Sequence, residues 1–137
     1  MPKAYLSRTE HFSAAHRLHS PQLSDPENVE LYGKCNHRHG HGHNYKVEVT
    51  VKGEIHPITG MVMNLSELKE CMKAKVVDIL DHRNLDVDID YFHTNPSTAE
   101  NIAVYVWTQL AAALTKAELF EVRIHETENN VVFYRGE

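Results

Sequence analysis

The chain has 137 residues, of which 42% are hydrophobic and 24% are charged. These proportions are typical of one globular domain and exclude the disordered and fibrous classes of protein. No apolar run approaches the ~20 residues of a membrane span. The 19 acidic residues outnumber the 14 basic ones, and the resulting net charge of -5 argues against a general nucleic-acid binder.

Cysteine content and the N-terminal residues bear on the cellular compartment. Cys35 and Cys71 are too few for a disulfide framework. Residues 1–5 contain no apolar segment of the kind found in secretory signals. No repeat or linker divides the chain, so we expect a single domain over residues 1–137, located in the reducing cytoplasm.

Two strands are predicted in the first half of the chain. Residues 3–18 alternate in the manner of a strand. One face of it carries Phe12, Ala14, His16 and Leu18. Residues 19–34 are rich in proline and polar residues and are predicted to form a loop. A second strand is predicted over residues 44–52. Its apolar face carries Tyr45, Val47, Val49 and Val51.

Two helices are predicted next. Asn64 is a suitable N-cap with Glu67 at the capping-box position, and the apolar stripe that follows predicts a helix ending near Asp81. Residues 81–96 are polar and are predicted to form a loop. The second helix is expected to begin with the capping box of residues 97–100.

The chain is predicted to end with a hairpin. Its first strand places Phe120, Val122, Ile124 and Glu126 on one face. The turn falls at residues 129–130, and residues 131–135 return. Strands at both ends with helices between them predict an α+β domain, in which an antiparallel sheet carries both helices on one face.

Histidines are concentrated at the start of the second predicted strand, where four lie between His37 and His43. His41 and His43 are two residues apart and share a strand face. His16, on the neighbouring strand, can supply a third imidazole, and three histidines leave one position of tetrahedral zinc open, as catalytic sites require. Solvated histidines are the simpler alternative. The pair of His39 and His41 has the same spacing, but strand parity favours His41 with His43.

Other candidate groups are less specific. The thiol of Cys35, near a metal and Lys34, could ionise easily and act as a base, although a small buried residue is the ordinary interpretation. In the sequence Asp81-His82, a carboxylate can hold the imidazole tautomer and raise its basicity. A histidine at a helix C-terminus can equally complement the helix dipole.

Two glutamates complete the candidate residues. Glu126 lies on an apolar strand face, where a carboxylate is costly unless it is paired. It could accept two parallel N–H bonds from a ligand, or be exposed if the strand frays before it. Glu100 is already explained by its place in the capping box.

Several motifs, in order, cover nearly the whole chain. They are residues 12–18 (FSAAHRL), 33–36 (GKCN), 40–45 (GHGHNY), 59–65 (TGMVMNL), 80–86 (LDHRNLD), 97–101 (STAEN) and 126–130 (ETENN), with Tyr134. Together they resemble the 6-pyruvoyl-tetrahydropterin synthase family. The resemblance implies the T-fold, in which a four-stranded antiparallel sheet packs under two helices. Trimers close their sheets into a barrel, and two trimers stack into a homohexamer.

The family resemblance also implies a reaction. The family substrate is 7,8-dihydroneopterin triphosphate, and the product is 6-pyruvoyl-tetrahydropterin, on the route to tetrahydrobiopterin. Inorganic triphosphate leaves, and the side chain undergoes an internal redox rearrangement without an external oxidant. The resemblance further implies that zinc acts as a Lewis acid and that magnesium is required, to accompany the triphosphate.

Roles implied by the resemblance can be assigned by position. The zinc ligands would be His16, His41 and His43. Cys35 would be the general base, and Asp81 would orient His82 in a second proton-transfer pair supplied by a neighbouring subunit. Glu126 would anchor the pterin through its 2-amino and N3–H donors, and Thr98 and Glu100 would line the same pocket.

One segment departs from the family pattern, because His37 and His39 are additional histidines. They could compete for metal, contact triphosphate or be solvated, and we favour solvation. Lys34 and Arg38 are candidates for phosphate contacts.

Two alternatives to a pyruvoyl-forming enzyme stay open. The related 6-carboxytetrahydropterin synthase uses the same substrate and metal ligands but also releases acetaldehyde. Its cysteine typically lies closer to the paired histidines, whereas Cys35 precedes His41 by six residues, and the sequence of residues 126–130 also favours the pyruvoyl enzyme. A non-catalytic protein that binds zinc or pterin is the second alternative, although it would not need all of the candidate catalytic groups.

Overall fold

The structure is a computed structural model that describes all 137 residues. Five strands form one sheet: β1 (Lys3–His16), β2 (His41–Glu54), β3 (Arg83–Asn84), β4 (Glu118–His125) and β5 (Val131–Tyr134). Their order across the sheet is β3-β1-β2-β4-β5. Neighbouring strands are antiparallel except for β3, which pairs in parallel with β1.

The helices are mostly short. They are α1 (Asp25–Tyr32), α2 (Leu65–Met72), α3 (Asp78–Leu80), α4 (Leu85–Asp88), α5 (Tyr91–Thr94) and α6 (Ala99–Ala113). A 3₁₀ turn (Gly33–Asn36) follows α1, and a π turn (Lys73–Val77) joins α2 to α3. None of these helices combines the length and the apolar character needed to cross a bilayer. The predicted α+β class is therefore confirmed.

The pairing of β1 with β2 sets the positions of the histidines at the ends of these two strands. The two strands pair over 14 residues, from Lys3 opposite Glu54 to His16 opposite His41. Alternate side chains of β2 point into the core and are fully buried: Tyr45, Val47, Val49 and Val51. Each buried aliphatic side chain contributes about 1.5–3 kcal/mol. Since a slip by one residue would expose this whole face, the core fixes the register that brings His16 beside His41.

The helix predicted from Asn64 to near Asp81 forms, with a π turn in its middle. Its fully buried residues recur at every fourth position: Leu68, Met72, Val76 and Leu80. Because a regular α-helix has about 3.6 residues per turn, a stripe with this spacing would drift around the helix. The π turn at Lys73–Val77 is wider and holds more residues per turn, so it cancels this drift and keeps all four side chains on the core.

Two segments predicted as loops contain regular structure. Residues 19–34 hold α1, because Ser24 and Glu27 form a reciprocal capping box and Pro26 lies in the first turn. Residues 81–96 hold β3, α4 and α5, and the Asn84 side chain caps α4. The expectation of a four-stranded antiparallel sheet is corrected accordingly, since β3 makes it a mixed sheet of five strands.

The predicted position of Phe120 on the apolar face of β4 is wrong. A β-bulge pairs Leu119 with Val51 and Glu121 with Thr50, so Phe120 leaves the apolar face. Its ring packs against Tyr5 on the opposite side of the sheet, with 4.7 Å between ring centroids, and Leu119 is buried in its place.

The start of α6 and the extent of β1 also differ from expectation. The N-cap of α6 is Thr98, whose hydroxyl accepts a hydrogen bond from the Asn101 amide at 3.2 Å, and not Ser97. Glu100 therefore lies outside any capping box and is free for another role. Strand β1 ends at His16, so Leu18 lies beyond the sheet.

Candidate active site

Three imidazoles meet where the paired ends of β1 and β2 lie side by side. His16, His41 and His43, here called the histidine cluster, have one ring nitrogen each within 4.8 Å of the other two. His16 is fully buried, whereas His41 and His43 are half-buried. The strand parity that favoured His41 and His43 over His39 is reproduced by this geometry.

A backbone carbonyl fixes the orientation of the His16 ring. Nδ1 of His16 lies 2.7 Å from the carbonyl oxygen of Ser97, just before α6. A carbonyl only accepts hydrogen bonds, so Nδ1 carries the proton and Nε2 of the neutral ring keeps its lone pair. That Nε2 faces Nε2 of His41 at 3.1 Å. Two nitrogens so close require a proton or a cation between them.

The cluster fits a metal ion by its donor set. Nε2 of His43 is buried and has no hydrogen-bond partner. Burial lowers the pKa of His41 and of His43, and the neighbouring imidazoles act in the same direction. Both rings are thereby held in the uncharged form that binds metals. Three imidazoles around one point, with no fourth protein ligand, match the donor set of an open metal site.

Gly40 allows the two strand ends to approach each other. Its φ of +78° is in the left-handed region, and a Cβ atom at this position would lie 2.9 Å from the carbonyl oxygen of His16. Any other residue would push the backbone of one cluster member away from the other strand. The glycine before His41 therefore has a steric role at the site.

Tyr45 places a phenol against the cluster. Its hydroxyl lies 3.4 Å from both ring nitrogens of His16, and its ring stacks on Phe12 with 5.0 Å between centroids. Burial raises the pKa of the Tyr45 phenol far above its ordinary value, so the hydroxyl stays protonated. Sequence reasoning assigned Tyr45 only to the apolar face of its strand.

A cavity of about 570 Å³ collects the residues predicted to bind the pterin. Thr98, Glu100 and Glu126 all line it, together with Leu18, two residues beyond His16. Glu126 directly follows β4 and is half-buried, as its parity with Val122 and Ile124 predicted. Its negative charge opposes the lowering of the His43 pKa by burial, which is consistent with a carboxylate near the cluster.

Cys35 lies in the 3₁₀ turn rather than in the cluster. Its side chain is half-buried and unpaired. Its carbonyl oxygen accepts a hydrogen bond from the Leu18 amide at 2.9 Å, which attaches the turn to the segment that follows His16. The turn and the end of β1 are thus held together by backbone contacts.

Asp81 and His82 interact with each other, as expected. Nδ1 of His82 lies 2.9 Å from the Asp81 carboxylate, whose other oxygen accepts the Ser13 amide at 2.8 Å. The hydrogen bond from the Ser13 amide is the main cause that lowers the pKa of Asp81. His82 adopts a left-handed φ of 64° and its side chain is 84% exposed. The pair makes no hydrogen bond to the histidine cluster, although His82 and His43 line one groove of about 420 Å³.

The additional histidines lie outside the cluster. His37 and His39 are exposed, and Nδ1 of His37 accepts a hydrogen bond from the His39 amide at 3.3 Å. Lys34 and Arg38 are exposed as well. This segment therefore faces solvent, as we favoured from the sequence.

Comparison with known proteins identifies the family. A family model described as 6-pyruvoyl tetrahydropterin synthase matches residues 5–137. The chain belongs to this family. A guppy (Poecilia reticulata) 6-pyruvoyl tetrahydrobiopterin synthase is 59% identical over 133 residues, which are 97% of this chain and 90% of the relative. The human protein of that name is 55% identical over 135 residues, which are 98% and 93% of the two chains.

A solved structure of the family has the same fold. The Caenorhabditis elegans 6-pyruvoyl tetrahydropterin synthase superposes with a TM-score of 0.97 at 47% identity, covering 100% of this chain and 98% of the other. The resemblance stated from the motifs is thus confirmed, and so is the T-fold of the chain.

Sequence reasoning missed three contributors to the site. The Ser97 carbonyl and the Tyr45 hydroxyl both contact the His16 ring. The Asp86 carboxylate accepts a hydrogen bond at 2.7 Å from the amide of Arg17, which directly follows His16. Asp86 had one available signal, because it lies within the motif of residues 80–86. A backbone carbonyl leaves no signal in the sequence.

Proposed function

We propose that this chain is a zinc-dependent 6-pyruvoyl-tetrahydropterin synthase. It converts 7,8-dihydroneopterin triphosphate to 6-pyruvoyl-tetrahydropterin and inorganic triphosphate, a carbon–oxygen lyase reaction in tetrahydrobiopterin biosynthesis. The names of relatives at 59% and 55% identity support this reaction. The observation that carries the proposal is the histidine cluster, in a chain that belongs to this family. The segment that follows His16 leads from this cluster to Leu18, which lines the same cavity as Glu126.

His16, His41 and His43 hold the zinc in this proposal. When bound, zinc supplies Lewis-acid chemistry that makes the hydroxyls of the substrate side chain, and the neighbouring C–H bonds, more acidic. The Ser97 carbonyl holds the His16 ring in the tautomer that leaves Nε2 free. Tyr45 remains a neutral donor beside the same ring.

Cys35 accepts the proton from the substrate side chain. The thiolate, and not the thiol, is the form of a cysteine that acts as a base. The backbone attachment of Cys35 to Leu18 supports this role, because it joins the thiol's turn to the segment that lines the pterin cavity. The base is thus carried by a turn anchored at the cavity wall.

Asp81 and His82 move the second proton. With Nδ1 of His82 directed at the Asp81 carboxylate, Nε2 is the atom that gives or receives a proton. His82 acts in the site of a neighbouring subunit within a homohexamer built as a dimer of trimers. The high exposure of the His82 ring in a single chain supports this assignment.

Glu126 holds the pterin by accepting its 2-amino and N3–H donors as a pair of parallel hydrogen bonds. Thr98 and Glu100 line the same cavity and contact the ring. Magnesium accompanies the triphosphate, for which the exposed Lys34 and Arg38 are the candidate contacts. The two unpaired cysteines agree with a cytoplasmic location.

Product analysis tests the proposal. Zinc-loaded protein is incubated anaerobically with 7,8-dihydroneopterin triphosphate and magnesium, and the pterin is followed by mass spectrometry while acetaldehyde is assayed separately. A pyruvoyl pterin without acetaldehyde is the expected result. A carboxy pterin with acetaldehyde would mean the chemistry of 6-carboxytetrahydropterin synthase, and bound but unchanged substrate would mean a non-catalytic zinc- or pterin-binding protein.

A further inference from the structure

Asn36, the residue after Cys35, is buried although its side chain is polar, and it is only 5% exposed. Its amide nitrogen donates to the Leu18 carbonyl oxygen at 2.7 Å and lies 3.0 Å from Nδ1 of His19. Its amide oxygen faces Nη2 of Arg17 at 3.4 Å. Since both ends of the amide are engaged, the side chain has one orientation in which its bonding groups are satisfied.

Backbone contacts join the same two segments. The Leu18 amide donates to the Cys35 carbonyl oxygen at 2.9 Å, and Nε of Arg17 donates to the Asn36 carbonyl oxygen at 2.9 Å. Residues 17–19 lie directly beyond the last residue of β1 and have no strand partner. Apart from the Arg17 amide, which the Asp86 carboxylate accepts at 2.7 Å, the turn that carries Cys35 and the segment that follows His16 are therefore held by each other, with Asn36 at the centre.

We propose that Asn36 is a positioning residue, which fixes the Cys35 thiol relative to His16. The inference rests on the proposed function, in which Cys35 is the base and His16 a metal ligand. Proton transfer is sensitive to geometry, and a displacement of about 1 Å can lower a rate by about 100-fold. Without the Asn36 amide, the turn keeps only its bonds through backbone carbonyls.

Asn28 provides a matched control for a purely structural role. It is fully buried, and its side chain also binds loop backbone through the Ser20 amide and the Ser20, Leu23 and Ser24 carbonyls at 2.7–3.2 Å. None of these contacts reaches Cys35. Asn28→Ala therefore removes a comparable set of bonds from the neighbouring loop and leaves the turn of Cys35 attached.

The first measurement does not depend on turnover. Iodoacetamide is added to the zinc-loaded full chain, and alkylation of Cys35 is followed by peptide mass spectrometry with half-buried Cys71 as an internal reference. In Asn36→Ala we expect the ratio of Cys35 to Cys71 alkylation rates to rise severalfold, because a loosened turn exposes the thiol. Asn28→Ala is expected to keep the wild-type ratio. Asn36→Asp preserves the shape and the contact to Arg17 but lacks the donor to Leu18, so it tests the same point if Asn36→Ala does not fold.

The second measurement separates positioning from stability. In Asn36→Ala we expect kcat to fall by about tenfold or more, with KM changed by a smaller factor and zinc content unchanged. An unchanged alkylation ratio in both Asn36 variants, or a loss of kcat that Asn28→Ala shares, overturns the positioning role. If the wild-type chain does not turn over the pterin triphosphate, the proposed function fails, whereas the alkylation ratio still decides whether Asn36 holds Cys35.

Discussion

The carbonyl oxygen of Ser97 lies 2.7 Å from Nδ1 of His16, across 81 residues of sequence. This single contact connects the residue before the cap of α6 to the innermost member of the histidine cluster. It determines which nitrogen of His16 carries the proton, and it leaves Nε2 directed at His41. The α6 N-terminus, which also brings Thr98 and Glu100 to the adjacent cavity, thereby aligns both halves of the candidate site.

Removing one cluster member is expected to abolish metal binding. In His43→Ala only two imidazoles remain, so we expect the variant to lose both bound zinc and turnover. His37→Ala removes an exposed ring outside the cluster and is expected to retain both. Zinc per chain is measured by atomic emission after dialysis, and full zinc retention in His43→Ala would disprove the ligand assignment.

Gly40→Ala tests the close approach of the two strands. Gly40 and Gly60 both have positive φ, but a Cβ at Gly60 meets nothing within 4 Å, whereas one at Gly40 meets the His16 carbonyl. Gly60→Ala is expected to lower the free energy of unfolding by about 1–2 kcal/mol through backbone strain alone. Gly40→Ala should lower the free energy of unfolding by more than Gly60→Ala does, and it should also bind zinc more weakly. Equal losses in the two variants, measured by urea unfolding and zinc titration, would contradict the steric role.

Cys35→Ala is expected to separate binding from turnover. The variant should keep its zinc and its affinity for pterin, while kcat falls by about 100- to 10,000-fold because the base is lost. Cys71 is half-buried in α2, and Cys71→Ala serves as the control that retains activity. Steady-state kinetics with fluorescence titration of a pterin provides both quantities. An active Cys35→Ala enzyme would exclude the thiol as the base.

Glu126→Gln is expected to weaken pterin binding. The amide replaces one acceptor by a donor, so one of the two hydrogen bonds to the pterin edge is lost, at a cost of about 1.5–3 kcal/mol in binding. Glu128 is exposed and lines a different pocket, so Glu128→Gln should bind as the wild type does. Equilibrium titration with a pterin measures the affinity of each variant, and equal affinities in the two variants would exclude Glu126 from the pterin site.

Glu121 is expected to make stability depend on pH. Burial opposes ionisation of this carboxyl, but hydrogen bonds from Arg123 and Arg135 outweigh burial and lower its pKa below 4.5. The folded pKa is thus below the unfolded one. The contribution to stability is complete above the unfolded pKa and disappears as pH falls through the folded pKa. The difference in free energy of unfolding between wild type and Glu121→Gln should therefore shrink between pH 6 and pH 3, and a constant difference would refute the ion pairs.

The parts of the site that follow strand periodicity could be predicted from sequence. His16, His41 and His43 were found because period-two alternation continues from the apolar faces of β1 and β2. Asp81 and His82 were found as neighbours at the end of a clear amphipathic stripe. These signals are local, and the structure preserves them.

Other parts depend on contacts between distant segments. The bulge that expels Phe120 arises only when β4 pairs with β2, and the choice of Thr98 as N-cap shifts α6 by one residue. Helix α1 carried a readable signal in Ser24 and Glu27, but it lacks an apolar stripe, and Asn28 is its one buried residue. Contacts between distant segments therefore decided the bulge and the cap of α6, whereas the only readable signal of α1 was its local capping box.

The π turn of Lys73–Val77 has a consequence for how the Asp81–His82 pair is placed. It keeps the buried stripe aligned through Leu80, and Asp81 then leaves the helix at the point where its carboxylate meets the Ser13 amide. This turn accommodates an extra residue, so removing one residue would restore a regular helix and leave Leu80 close to the buried stripe, whereas removing a second would rotate everything after it by about 100° around the axis. The number of residues between Met72 and Asp81, more than their identity, therefore sets the direction in which this acid–imidazole pair faces.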